Sequence, residues 1–146
     1  MKHVVLATSA ALALAFSGLT HATSLQSLSE SQVSSQVIGK TITTIPLVTM
    51  DGSLTNNTFT GYFNTNGELE GRMANQPENG PITDKGTWSL KTDGTLCATW
   101  NHWNSSKPIC VSIYKVKNGL LFVNQQSHKL ETIVLEENIK SGNKIG

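Results

Sequence analysis

Apolar and polar residues alternate in short runs along the middle of the chain, and pairs of turn-forming residues separate the runs. Alternation with a period of two is typical of antiparallel strands that have one face on a core and the other in solvent. Each turn dipeptide lies next to residues of high strand preference, which predicts a series of hairpins. The dipeptides are Asn66-Gly67, Asp93-Gly94 and Asn118-Gly119.

The hairpin around Asp93-Gly94 allows two registers. A two-residue turn would divide the apolar side chains between both faces, whereas a loop over 92–94, with Gly94 left-handed in a bulge, gathers them on one face. We therefore predict the three-residue loop. Its cross-strand pairs are Leu90 with Leu96, Trp88 with Ala98, and Gly86 with Trp100.

The hairpin around Asn66-Gly67 follows the same rule. Pairing Asn64 with Glu68 separates an apolar face from a polar face, and we expect Glu70 and Arg72 of the polar face to lie in solvent. The predicted inward set is Phe59, Gly61, Phe63, Leu69, Gly71 and Met73.

Further strand signals complete the predicted fold. Residues 41–50 are rich in β-branched side chains and predict a strand that ends at Asp51-Gly52, and residues 129–135 predict the last strand. Residues 53–57 and 73–81 have the composition of loops. A count of about eight strands predicts an all-β fold, a small antiparallel up-and-down β-barrel of lipocalin-like shape. A two-sheet β-sandwich is the alternative.

Residues 25–38, rich in Ser and Gln, precede the first strand. Ser29 and Gln32 have the spacing of a capping box, which predicts a short helix ending at Gly39, with an extended leader as the alternative. The hairpin around Asn118-Gly119 carries apolar residues on both faces, and both faces need to be covered. This need favours the helix. One face carries Tyr114, Val116, Leu120 and Phe122, and the other carries Ile113 and Val123.

The chain begins with a short basic segment followed by an apolar run over residues 4–19, and Thr20 and Ala22 suit a signal-peptidase site. We predict a signal peptide over residues 1–22 and a single mature domain over residues 23–146, with no stable membrane span after cleavage. An uncleaved N-terminal anchor is the alternative. The predicted location is periplasmic or extracellular.

Cys97 and Cys110 are the two cysteines, and in an exported chain two cysteines most simply form one disulfide. A hairpin closed by residues 101–106 sets them opposite each other, within disulfide range. A redox-active pair, the alternative, would favour a Cys-x-x-Cys spacing.

Charge and motifs restrict the possible chemistry. Removing Lys2 with the leader leaves ten basic and ten acidic residues, and the lysines are scattered, which argues against nucleic-acid binding. His102 and His128 lack a zinc-site spacing, and no calcium loop, phosphate loop or nucleophile elbow is found. Glu68 and Glu70 suit solvated carboxylates better than an acid/base pair. We predict no catalytic residue, no metal and no cofactor, and hence a protein that is not an enzyme.

The order of several short motifs resembles an uncharacterised family of small exported bacterial proteins, which is known by a domain-of-unknown-function label. The resemblance covers most of the mature chain and implies an exported β domain without a known activity. Gly-x-Trp also occurs in lipocalins, but in their first strand, so lipocalin function is not carried over to Trp88. The motifs are Gly39-Lys40-Thr41, Tyr62-Phe63, Asn66-Gly67, Gly71, Gly86-x-Trp88, Leu96-Cys97-x-x-Trp100, Cys110 and Asn118-Gly119.

The segment over 100–104 is the candidate binding site. It places two indoles, an imidazole and two carboxamides at a predicted hairpin tip, where turns usually carry small polar residues. We predict ligand-binding roles for Trp100, His102, Trp103 and Asn104, and we expect Trp103 to be exposed. The alternative is that Trp100 plugs the barrel end and Trp103 lies over the backbone of its own loop.

Two functions are consistent with these features. The first is a binding module for a small apolar molecule, a glycan or an envelope protein. The second is a structural or stress-related cell-envelope protein without a small ligand. A wide, apolar, partly empty interior would favour the first function. An interior filled by large side chains would favour the second, and the candidates are Phe59, Phe63, Trp88, Trp100 and Ile113.

Overall fold

The fold is given by a computed structural model that describes residues 25–48, 54–55 and 57–146. The predicted signal peptide, the end of the predicted strand at Met50 and the predicted turn at Asp51-Gly52 lie outside the described residues. In the described part, one α-helix, two short 3-10 helices and eleven strands follow one another along the chain. They are α1 (Glu30–Val37), β1 (Lys40–Thr43), β2 (Leu47–Val48), β3 (Leu54–Thr55), β4 (Phe59–Phe63), β5 (Glu68–Met73), β6 (Thr83–Leu90), β7 (Leu96–Trp100), a 3-10 helix (Trp103–Ser106), β8 (Ile109–Val116), β9 (Gly119–Asn124), β10 (Leu130–Leu135), a second 3-10 helix (Glu136–Asn138) and β11 (Ile139–Ser141).

Nine of the strands form one antiparallel sheet in the order β10-β9-β8-β7-β6-β5-β4-β1-β11, and β2 pairs with β3 as a separate hairpin. The sheet curls until the chain after β1 meets β10, where the backbone N–H of Ile45 donates to the carbonyl of Ile133 over 3.2 Å. Strands β1 and β4 to β10 thus form a ring of eight, and β11 lies beside β1. The predicted up-and-down barrel is confirmed as a nearly closed barrel.

Two predicted hairpin registers are confirmed residue by residue. In the β6–β7 hairpin, Trp88 lies opposite Ala98 and Gly86 opposite Trp100. In the β4–β5 hairpin, Gly61 lies opposite Gly71, and the predicted inward residues are buried or pack against the core. The agreement arises because the three-residue turns and the alternation of apolar residues specify the same register.

The β8–β9 hairpin differs from the prediction. Its turn consists of Lys117 and Asn118, so Val116 lies opposite Gly119 and Ile113 opposite Phe122. Ile113, Leu120 and Phe122 are therefore all in the core, and the prediction that Leu120 and Phe122 face away from Ile113 is wrong. A hairpin turn that is one residue shorter shifts the register by one residue, and this moves the side chains of one strand to the opposite face of the sheet.

The region between β1 and β4 also differs from the prediction. Instead of one long strand followed by a polar loop, Leu47–Val48 and Leu54–Thr55 form a small hairpin of their own. Pro46 separates β2 from β1, and proline has no N–H for a strand ladder, which explains the interruption.

Helix α1 closes one end of the barrel, called here the helix end. The capping box is confirmed, because the Gln32 Oε1 atom accepts the backbone N–H of Ser29 over 2.9 Å. Val33 and Val37 are fully buried in the core. The chain enters beside β8, where Leu28 N–H donates to the carbonyl of Ile113, and leaves beside β4. These strands lie on opposite sides of the ring, so the helix spans the opening.

The Cys97–Cys110 disulfide joins β7 and β8 at directly facing positions, as the register predicted, with Cα atoms 4.0 Å apart. A structural disulfide is typical of proteins that fold outside the reducing cytosol. Among the described helices, none has the length and apolar character needed to cross a membrane.

Replacing both cysteines by serine should lower the free energy of unfolding by about 3 kcal/mol, because the bond closes a short loop and restricts the unfolded chain. Urea unfolding of the oxidised protein and of the C97S/C110S variant measures the difference. Reductant should lower the unfolding midpoint of the parent and leave that of the variant unchanged. Equal midpoints for parent and variant without reductant would contradict the stabilising role of the bond.

Candidate functional site

A cavity of about 580 Å³ lies inside the barrel. It reaches the end formed by the loops after β1, β5, β7 and β9, called here the loop end. Its lining is mostly apolar, with Thr44, Asn57, Asn104, Glu131 and Thr132 as the polar members. The apolar members are Ile42, Ile45, Phe59, Phe63, Met73, Leu96, Ala98, Trp100, Trp103, Ile109, Val111 and Phe122.

Three aromatic rings form one wall of the cavity. The ring centroids of Trp100 and Trp103 are 4.7 Å apart, and Phe59 meets them nearly edge-on at 5.6 and 6.1 Å. Such tilted and T-shaped pairs stabilise the cluster beyond the burial of its surface. The cluster therefore forms a fixed apolar wall at the loop end.

Gly71 on β5 gives the two indoles room. A Cβ atom at this position would lie 2.5 Å from Cη2 of Trp100 and 2.6 Å from Cζ3 of Trp103. The rings therefore rest directly on the β5 backbone, and any side chain at Gly71 would displace them.

Trp103 is buried, with 5% of its surface exposed, so the prediction of an exposed rim tryptophan is wrong. Its indole Nε1–H donates to the carbonyl of Pro81 over 2.7 Å. A Cβ at Gly80 would lie 2.8 Å from Trp103 Cδ1, so the ring also packs on the loop between β5 and β6. The indole turns inward from its hairpin tip onto neighbouring strands and loops.

The side chain of Asp84 on β6 holds the start of the loop between β7 and β8. Its buried carboxylate accepts the backbone N–H groups of Lys85, His102 and Trp103 over 2.8 to 2.9 Å. It also lies 2.9 Å from Nδ1 of the His102 ring. Burial acts to raise the pKa of Asp84, but the hydrogen bonds from His102, Trp103 and Lys85 outweigh it and hold this pKa below its usual value.

The same loop contains three successive residues with left-handed backbone conformation, with φ of 53° at Asn104, 52° at Ser105 and 58° at Ser106. Residues other than glycine adopt this conformation at an energetic cost, and such residues cluster at functional sites. Two hydrogen bonds stabilise the turn, one from Asn104 Nδ2 to the carbonyl of Lys107 and one from Ser106 Oγ to the carbonyl of Asn101. The turn places Asn104 in the cavity lining.

The predicted site residues separate into two groups. Trp100, Trp103 and Asn104 all line the cavity, whereas His102 lies on an outer surface pocket beside Asp84, with 66% of its side chain exposed. Sequence reasoning did not assign Phe59 and Met73 to the site, although alternation placed both on the inward face. It also missed Glu131 and Thr132, for which the sequence carried no signal.

No protein-family model, curated protein or solved structure matches this chain. The resemblance to a family of small exported bacterial proteins stays a prediction. In the described part of the chain, no three His, Cys, Asp or Glu side chains lie close enough together to hold a metal ion. The cavity has the size and the apolar lining to enclose a small apolar molecule.

Replacing Asp84 by asparagine should lower the free energy of unfolding by about 2 kcal/mol at neutral pH, because hydrogen bonds to a buried carboxylate are stronger than those to a neutral amide. The folded pKa is depressed, so the contribution of Asp84 is complete above its unfolded pKa of about 3.9. It is lost as the pH falls through the lower folded pKa. The stability difference between parent and variant should therefore shrink in acid.

Urea unfolding of both proteins at about pH 7 and about pH 3 measures this difference. The matched control is Glu78→Gln in an exposed loop, which should change stability by less than about 0.5 kcal/mol at either pH. An Asp84→Asn variant as stable as the parent at neutral pH would show that the carboxylate does not hold the loop.

Replacing Trp103 by alanine should cost about 3 to 5 kcal/mol of stability, as expected for removal of a large buried aromatic side chain. Trp103→Phe keeps most of the apolar contact and loses the hydrogen bond to Pro81, so it should cost less. Chemical unfolding of both variants measures the costs. A Trp103→Ala variant within about 0.5 kcal/mol of the parent would indicate an exposed side chain.

Proposed function

We propose that this protein binds a small, mostly apolar molecule inside its barrel. The observation that carries the proposal is the cavity of about 580 Å³, which is walled by aromatic and aliphatic side chains and bordered by a few polar groups. Its volume is in the range of small-molecule sites, which are typically apolar with a few polar groups that orient the ligand.

The polar groups of the lining favour an apolar ligand over a glycan. Both polar atoms of the Asn57 amide are bonded to the Asn75 backbone, and the Thr44 hydroxyl accepts the N–H of Phe59. Few groups therefore remain to satisfy the many hydroxyls of a sugar, and an unsatisfied buried polar group opposes binding. An aliphatic or aromatic body would instead make contacts with the walls.

The large side chains of the interior also support binding. Phe59, Phe63 and Trp100, three of the residues expected to fill the interior of a purely structural protein, pack in the core and yet border a cavity of about 580 Å³. A binding module is therefore the better supported of the two predicted functions. The disulfide supports a location in the periplasm or outside the cell, where the predicted signal peptide would direct the chain. We propose binding without catalysis.

The test is binding of N-phenylnaphthylamine, a neutral apolar dye whose fluorescence rises in an apolar site. Ala98 lines the cavity, and Ala98→Phe should weaken dye binding at least about tenfold by occupying the space, which equals about 1.4 kcal/mol. The control is Thr87→Phe on the exposed face of the adjacent strand, which should leave affinity unchanged.

Thermal unfolding of Ala98→Phe provides a second measurement. In an interior with free space the added ring should be tolerated, whereas in a filled core it should cost about 1 to 3 kcal/mol. Absence of dye binding to the parent, or equal binding by parent and Ala98→Phe, would overturn the proposed function.

A further inference from the structure

We propose that the ligand carries a polar end that donates hydrogen bonds, neutral or cationic, and that a carboxylate end is disfavoured. The inference rests on the proposed function and concerns the same cavity. It follows from the position of Glu131 at the loop end and from the other polar groups that line the cavity.

A β-bulge in β10 brings Glu131 to the cavity. Leu130 lies opposite Val123, but Thr132 lies opposite Phe122, so Glu131 is an extra residue without a partner on β9. Regular alternation would direct two neighbouring side chains to opposite faces of the sheet, yet both Glu131 and Thr132 line the cavity. Bulges change the direction of side chains in this way and are frequent beside functional sites.

Glu131 is exposed at the loop end, and a hydrogen bond orients its carboxylate. Its Oε1 atom accepts Nδ2–H of Asn124 over 2.7 Å. Asn124 is itself held, since its Oδ1 atom accepts the backbone N–H groups of Gln126 and Ser127. Among the described residues, Oε2 of Glu131 has no hydrogen-bond partner within the usual limits, so it can accept a donor from a ligand.

The other groups at the loop end agree with this polarity. Asn104 uses its Nδ2 in the bond to Lys107, which leaves its carbonyl Oδ1 as an acceptor. Of the described residues that line the cavity, Glu131 is the charged one. Lys107 and Lys129 belong to loops at the same end, but they are not part of the lining. These lysines and Glu131 are all exposed, so solvent partly screens each charge, and Glu131 differs from the lysines in lining the cavity.

Together these groups define the ligand class. The body of the ligand contacts the apolar walls, and its polar end meets acceptor oxygens and a negative charge. A hydroxyl or an ammonium group can donate to Glu131 and Asn104, whereas a carboxylate would face a like charge without a cation in the described lining. The ligand is an uncharged or cationic amphiphile.

The test compares three probes that share a naphthyl body and differ in the end group, namely naphthylethylamine, naphthylethanol and naphthylacetate. Calorimetry at low ionic strength gives their affinities for the parent, for Glu131→Gln and for Glu137→Gln. The Glu131→Gln side chain keeps an amide oxygen for the bond from Asn124, so this variant removes the charge with little change in shape. Glu137→Gln removes an exposed charge at the helix end.

The parent should prefer the amine and the alcohol over naphthylacetate. In Glu131→Gln the amine-to-acetate affinity ratio should fall about threefold to fivefold, the effect expected of one partly screened charge, and in Glu137→Gln it should stay that of the parent. Added salt should reduce the same ratio in the parent.

Two results would overturn the inference, namely tighter binding of naphthylacetate by the parent and an unchanged ratio in Glu131→Gln. Binding of N-phenylnaphthylamine without binding of any of the three probes would overturn it too, and would leave the proposed function intact. Failure of all four molecules to bind would instead reject the proposed function.

Discussion

The buried carboxylate of Asp84 is the interaction on which the loop end of this barrel depends. By accepting the N–H groups of His102 and Trp103 it fixes the chain just after β7, and the indole of Trp103 then points inward. There it meets Trp100 over the bare backbone of Gly71. The aromatic wall thus rests on the β5 backbone at Gly71 and on the loop at Gly80. Its position therefore does not depend on a molecule in the cavity.

The two ends of the barrel have different roles. At the helix end, Val33 and Val37 of α1 are fully buried and the core is closed. At the loop end, the interior is lined by rings and bordered by polar groups, and a left-handed turn places Asn104 among them. The core is closed where the helix crosses the ring, and the cavity reaches the end where the loops lie.

Much of the fold could be predicted because it depends on local signals. Two turn dipeptides and the alternation around them set the registers of β4–β5 and β6–β7, and the same logic set Cys97 opposite Cys110. The β8–β9 register was missed because one turn residue decides it, and alternation alone cannot choose between two turn lengths. The inward direction of Trp103 depends on Asp84, far away in sequence, and the bulge at Glu131 has no turn or glycine to signal it.

We propose that a small apolar molecule binds in the space between the aromatic wall and β9. A crystal structure of the protein grown with N-phenylnaphthylamine tests it most directly. We expect density for the dye inside the barrel, in contact with Trp100, Trp103 and Phe122. Dye bound only on the outer surface, or an interior in which the Trp100 and Trp103 side chains occupy the cavity, would contradict it.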